Sequence, residues 1–145
     1  MEFNNEQAAL NNIYQCAKTG SRTISGLMPK IENANFRTDL KTQDDAYRSI
    51  QTEAAKQLMQ MGETPSDISP FKKAGMWANV NMSTLLKTDA SHLAELMISG
   101  STMGITNVTK VMNNYQNPNP QVADLANRFI QNEQGNIDRM KVHLR

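Results

Sequence analysis

The sequence has few of the features that usually indicate a binding or catalytic site. It contains one cysteine and has almost no net charge. Because Cys16 stands alone, neither an intrachain disulfide nor a cysteine-rich metal site can form, and a lone helical cysteine is expected to be a small buried side chain. The 15 basic residues nearly balance the 14 acidic ones, and the longest basic run is Lys72-Lys73. Neither nucleic acid nor an anionic membrane is therefore an expected partner.

Long apolar runs and phosphate-binding loops are absent too. No apolar run approaches the roughly 20 residues of a membrane helix, and the first residues lack the basic and apolar regions of a signal peptide. Neither a glycine-rich phosphate loop nor a Gly-x-Ser-x-Gly elbow occurs. We therefore expect a cytoplasmic protein, and its 145 residues suit one domain covering 1–145.

Apolar residues recur at helical spacing in four long stripes, which predict an all-α fold. The predicted bundle helices cover about residues 5–32, 34–61, 90–115 and 120–144. A shorter additional helix is predicted at about 70–87, starting from the N-cap and N1 signal Ser69-Pro70. The alternative, one long helix from 70 to 115, stays open. The long connection between the second and third bundle helices is typical of ferritin-like bundles.

Local signals place several helix ends. Pro29 should kink the last turns of the first helix because it lacks an N–H group and its ring clashes with the preceding turn. The short segment Asn33-Ala34-Asn35 supplies a cap for the second helix and makes the first two helices antiparallel. Gly62 is a natural stop after the second helix.

Glu133 is the sharpest candidate site residue. It lies four residues after Phe129 and four before Ile137, so it should face the interior of the bundle. A buried carboxylate must be paired, hydrogen-bonded or protonated. We expect a hydrogen bond to Tyr14, Tyr47 or a water, or a place at the edge of the interface; a metal site would need three or more further ligands.

The other candidate ligands are few. In a Glu-x-x-His pair that began at Glu133, the histidine would stand at position 136, but this sequence has Asn136 there. His92 and Glu95 are three residues apart on one helix surface and could help to hold a transition metal. They lie beside the inner stripe of their helix, so a solvated or interface pair is expected. His143 is expected to be a terminal surface group.

Residues 100–104, Gly-Ser-Thr-Met-Gly, place two small residues four positions apart. In a soluble bundle this spacing lets helix backbones approach closely, and the expected neighbour is Gly20. A neighbouring subunit is the alternative.

These features resemble the ferritin-like superfamily, in particular small uncharacterised ferritin-like proteins of Firmicutes. The segments carrying the resemblance are Leu10-Asn11-Asn12-Ile13, Leu27-Met28-Pro29-Lys30-Ile31-Glu32 and His92-Leu93-Ala94-Glu95, the last running into Gly100-Ser101-Thr102-Met103-Gly104-Ile105. The resemblance implies a four-helix bundle, and in its metal-binding members a set of acids with two Glu-x-x-His pairs. Only Glu133 matches that set, so neither a cofactor nor a metal is expected.

The resulting prediction is a structural or protein-interaction module that forms a homodimer, with any other protein partner unidentified; the sequence does not decide whether it is an enzyme, and it favours a protein that is not. The predicted interface residues, all in the additional helix, are Phe71, Met76, Trp77, Val80 and Leu85. One alternative is an atypical metal-binding protein or oxidoreductase that uses Glu133 with His92 or Glu95. The other is a component of a spore-coat-like assembly.

Overall fold

Four α-helices account for most of the residues that the computed structural model describes, which are 2–66 and 90–145. The helices are α1 (Glu2–Leu27), α2 (Ala34–Gln60), α3 (Ala90–Asn113) and α4 (Pro120–Lys141). A single 3-10 turn, Met28–Lys30, follows α1, and no strand occurs in these two ranges. The predicted all-α fold is confirmed. The predicted helix at 70–87, with its interface residues, lies outside the described residues.

Proline and asparagine decide where the helices begin and end. The α-helix α1 ends at Leu27 and the chain tightens into the 3-10 turn around Pro29, so the expected kink is instead a stop. The Asn33 side chain accepts a hydrogen bond from Phe36 N at 2.9 Å and caps α2 as expected. Gly62 has a φ of +80°, the left-handed conformation that a C′ glycine adopts.

Contacts between the helices establish their directions. α2 runs antiparallel to α1, because Gly20 lies beside Tyr47 while the earlier residue Gln7 bonds to Glu63, just after α2. It is also antiparallel to α4, because Tyr47 bonds to Glu133 while the later Ser49 bonds to the earlier Arg128. α3 is also antiparallel to α4, because Ser101 contacts Glu133 while Gly104, further along α3, faces the earlier residue Phe129. α2 and α3 are therefore parallel, and the end of α2 and the start of α3 lie at opposite ends of the bundle.

The core combines the inner stripes of all four helices. The largest fully buried side chains are those of Tyr47, Phe36, Phe129, Leu10, Ile13, Ile24, Leu27, Leu40, Ile50, Leu58, Leu93 and Met97. Cys16 is buried among them, as its helical position suggested. The last predicted stripe residue, Leu144, is 40% exposed, because α4 ends at Lys141 before reaching it.

Gly20 packs differently from the prediction. A Cβ atom on Gly20 would lie 2.6 Å from the Tyr47 ring, so this glycine makes room for an aromatic side chain of α2 rather than for the small residues of α3. Across 2–66 and 90–145, no helix combines the length and apolar character that a membrane crossing requires.

Candidate functional site

Glu133 lies in the middle of α4 and is completely buried. Phe129, four residues earlier, and Met140, seven residues later, are also fully buried, whereas Ile137 is half-buried. The helical period therefore carries the carboxyl group inward with them. This inward placement, which the sequence predicted, is confirmed.

Three neutral donors from three helices converge on one carboxylate oxygen of Glu133. The Tyr47 hydroxyl of α2 donates to Oε1 at 2.5 Å, the Asn136 amide of α4 at 2.9 Å and the Ser101 hydroxyl of α3 at 3.2 Å. Tyr47 was among the expected partners. These bonds join three helices through a single atom, so the carboxyl group contributes directly to how the helices are held together.

The second carboxylate oxygen, Oε2, has a different environment. It accepts no hydrogen bond from the described residues, and it faces α3 at Gly104. A Cβ atom at position 104 would lie only 2.7 Å from Oε2 and 3.2 Å from the Phe129 ring. Gly104 therefore gives the carboxyl group the space that it occupies, and this is the close approach that the small residues of α3 allow.

Asn136 extends the polar contacts towards the surface. Its amide nitrogen donates to Glu133, and its oxygen accepts a hydrogen bond from Arg139 Nη2 at 2.5 Å. We call Tyr47, Ser101, Glu133, Asn136 and Arg139 the Glu133 cluster. The guanidinium group thus orients the amide that donates to the buried carboxylate, without itself contacting that carboxylate.

Burial dominates the proton affinity of this site. It raises the pKa of Glu133 from 4.5 to about 7, although the hydrogen bonds from Tyr47, Asn136 and Ser101 act in the opposite direction by favouring the charged form. Burial and the nearby Glu133 carboxylate also raise the pKa of the Tyr47 hydroxyl and of the Cys16 thiol well above their ordinary values. Tyr47 and Cys16 therefore stay neutral, and of these three groups only Glu133 can change charge near neutral pH.

The chemistry open to the Glu133 cluster follows from its donors and its burial. Glu133 is the only one of its five residues that commonly binds metal ions, and within the described ranges no three His, Cys, Asp or Glu side chains come together. The cluster can bind a proton and couple that proton to the packing of three helices.

His92 and Glu95 are not brought to Glu133. Both are exposed on α3, whereas Glu133 is completely buried. His92 also precedes Ser101, the α3 residue that contacts Glu133, by nine positions, which is about 13.5 Å along a helix. The predicted combination of Glu133 with His92 or Glu95 is therefore not assembled in this structure.

His143 corrects another expectation. It is not a surface group: its Nε2 lies 2.7 Å from an Asp39 carboxylate oxygen, and its ring packs edge-on against Phe36 with 4.8 Å between centroids. Only 10% of the His143 side chain is exposed. The sequence contains no local pattern that predicts this pair, because 104 positions separate its members.

The contact between Asn136 and Glu133 could have been predicted, since a residue three positions after Glu133 shares its helix surface.

Comparison with known proteins gives one structural similarity. A crystal structure of a DUF305 fragment from Deinococcus radiodurans is similar to this chain, with a TM-score of 0.69, 15% sequence identity and coverage of 95% of this chain and 93% of that one. No family model and no curated protein matches the sequence. At this identity the similarity concerns the fold alone, an all-helical architecture shared over nearly the whole length of both chains.

Proposed function

We propose that this chain is a protein-interaction module in which the bundle interior is structural rather than catalytic. The observation that carries the proposal is the state of Glu133, whose side chain is fully buried and whose Oε1 already accepts hydrogen bonds from Tyr47, Ser101 and Asn136. A substrate would have to displace these donors and part α2, α3 and α4 to reach the carboxylate. The donors instead fix three helices against one another, which is a scaffold role.

The connectivity of the helices supports the part of this proposal that assigns a ferritin-like architecture. α1 and α2 form one antiparallel pair, α3 and α4 form another, and the parallel helices α2 and α3 are joined by the long connection. A single long crossover distinguishes ferritin-like bundles from bundles in which every loop is short. Under this proposal Glu133 is retained from the acids of the ferritin-like ligand set, and its Oε1 now accepts from hydroxyl and amide groups.

We further propose that the module is a cytoplasmic homodimer. The dimer proposal comes from the sequence, in which Trp77 belongs to a helix predicted in addition to the four of the bundle. A cytoplasmic location accords with Cys16 as a buried free thiol.

A light-scattering mass measurement on the full chain tests the dimer. We expect a dimer mass for the wild type and for the control Met59→Ala, which removes an exposed apolar side chain from α2, and a monomer mass for Trp77→Ala. A monomeric wild type would refute the dimer, whereas a Trp77→Ala dimer as tight as the wild type would refute only the interface around Trp77.

Elemental analysis of untagged protein purified without chelator tests the structural role of the interior. We expect substoichiometric transition metal in both the wild type and Glu133→Gln. Stoichiometric metal that is lost in Glu133→Gln would refute a purely structural interior, independently of the mass measurement.

A further inference from the structure

Two arginines from different helices line one open depression on the face shared by α2 and α4. Its volume is about 360 Å³, and its lining residues are Arg48, Ser49, Thr52, Glu53 and Arg128. Ser49, Thr52 and Glu53 are spaced at i, i+3 and i+4 on α2, so they present one surface of that helix. Arg128 reaches the depression from α4.

Arg128 is oriented across the depression by a hydroxyl of the other helix. Its Nη2 donates a hydrogen bond to Ser49 Oγ at 2.5 Å. The guanidinium group is thus positioned between the two helices, and this bond uses one of its five N–H donors.

Arg48 is oriented from the opposite side by a nearly buried acid. Its Nε lies 3.0 Å from Asp44 Oδ2, and Asp44 Oδ1 accepts a 2.5 Å hydrogen bond from the Ser21 hydroxyl of α1. The Asp44 side chain is 11% exposed and that of Arg48 is 65% exposed. The protein therefore anchors Arg48 through Nε, and the terminal Nη groups, with four N–H donors, are left for a ligand.

The depression holds no excess of charge once Asp44, which pairs with Arg48, is counted. It contains two guanidinium groups and one carboxylate, and Glu53 Oε1 accepts a hydrogen bond from Gln57 Nε2 at 3.2 Å. Gln57 lines a neighbouring depression of about 280 Å³, which shares Glu53 and Arg128 with the first and adds Lys56 and Asp124. The depression is therefore distinguished by the unused N–H donors of Arg48 and Arg128 and not by its net charge.

We propose that this depression binds a phosphoryl group between the guanidinium groups of Arg48 and Arg128, with the Thr52 hydroxyl as an additional donor. Planar guanidinium forks match the oxygen geometry of phosphate and form strong charge-assisted hydrogen bonds with it. The volume lies at the lower end of the 300–1,000 Å³ range of small-molecule sites. The ligand is accordingly a small phosphate ester, or the phosphoryl group of a larger molecule whose remainder lies outside. This site is independent of the proposed function.

Titration with inorganic phosphate at constant ionic strength, followed by amide and guanidinium NMR signals, tests the site. We expect saturable shifts at Ser49, Thr52 and the Arg128 side chain in the wild type. Arg48→Gln and Arg128→Gln should each weaken binding about tenfold, as expected for the loss of charge-assisted hydrogen bonds.

Lys41→Gln is the matched control for Arg48→Gln, because it also removes an exposed cation of α2 that pairs with an acid one helical turn away. Its affinity for phosphate should equal that of the wild type. The absence of saturable shifts in the wild type, or equal weakening by Lys41→Gln, would overturn the proposal. Comparing O-phosphoserine with a phosphoserine peptide identifies where the phosphoryl group comes from. If the peptide binds more tightly, the natural ligand is a phosphorylated protein partner. If the two bind equally, the natural ligand is a small phosphate ester.

Discussion

Replacing Glu133 by glutamine should change how the stability of the protein depends on pH. Glutamine has nearly the same shape and keeps an oxygen that can accept the hydrogen bonds of Tyr47, Ser101 and Asn136, but it cannot ionise. In the wild type, burial raises the pKa of Glu133 from 4.5 to about 7. Between these two values the folded state holds a proton that the unfolded state has released.

The sign and size of the effect follow from that difference. The stabilisation linked to this proton is fully present below pH 4.5 and is lost as the pH rises through about 7. One pH unit corresponds to about 1.4 kcal/mol, so the contribution of Glu133 to the free energy of unfolding should fall by about 2–3 kcal/mol between about pH 5 and about pH 8. Glu133→Gln lacks this fall.

Urea unfolding of both proteins at the two pH values measures the effect. The new amide donor beside Gly104 has no acceptor and should cost about 1–3 kcal/mol, but it does so at both pH values and cancels in the comparison. We expect the stability of Glu133→Gln relative to the wild type to improve by about 2–3 kcal/mol from pH 5 to pH 8. Parallel pH profiles for the two proteins would refute the reasoning.

Four further substitutions or treatments probe the same interior. Gly104→Ala should destabilise the protein by about 1–3 kcal/mol, since its Cβ would lie 2.7 Å from Glu133 Oε2, as thermal or urea unfolding would show. Gly135→Ala, whose Cβ would meet only the Arg139 side chain at 3.6 Å, should stabilise it by about 0.5–1 kcal/mol in the same assay. Tyr47→Phe should raise the pKa of Glu133 further and destabilise the protein by about 1–3 kcal/mol above neutral pH and by less in acid. A thiol reagent should label Cys16 only in denaturant, because burial raises the pKa of its thiol, and absorbance of the released chromophore reports the labelling.

Each of these expectations has a contrary outcome. Equal effects of the two glycine substitutions would show that the space at Gly104 is unimportant. For the tyrosine, Tyr14→Phe is the control, because this half-buried ring packs below Lys18 Nζ and is not part of the Glu133 cluster. An equal loss of stability in the two tyrosine variants would contradict the hydrogen bond to Glu133. Rapid labelling of the native thiol would contradict its burial.

The sequence was sufficient for the properties that depend on neighbouring residues. The helical period of the apolar stripes placed both ends of α2 and α4 and the end of α3 to within three residues. It also turned Glu133 inward, because neighbours three and four positions apart share a helix surface. Asn33 predicted the start of α2 because its side chain favours the N-cap position, and Gly62 predicted the end because glycine readily adopts a left-handed backbone. Pro29 was expected to kink the last turns of α1, and in the structure the α-helix ends before it.

Contacts between distant parts of the chain were decided by the tertiary structure. The sequence offered Tyr47 as one of several partners of Glu133, but only the register of α2 against α4 selects it and adds Ser101. The Asp39–His143 pair joins residues 104 positions apart. Arg48 and Arg128 likewise share one depression from two helices. A periodic pattern fixes which way a side chain points from its own helix, whereas its partner across the bundle depends on how whole helices slide and pack, and no local pattern records that choice.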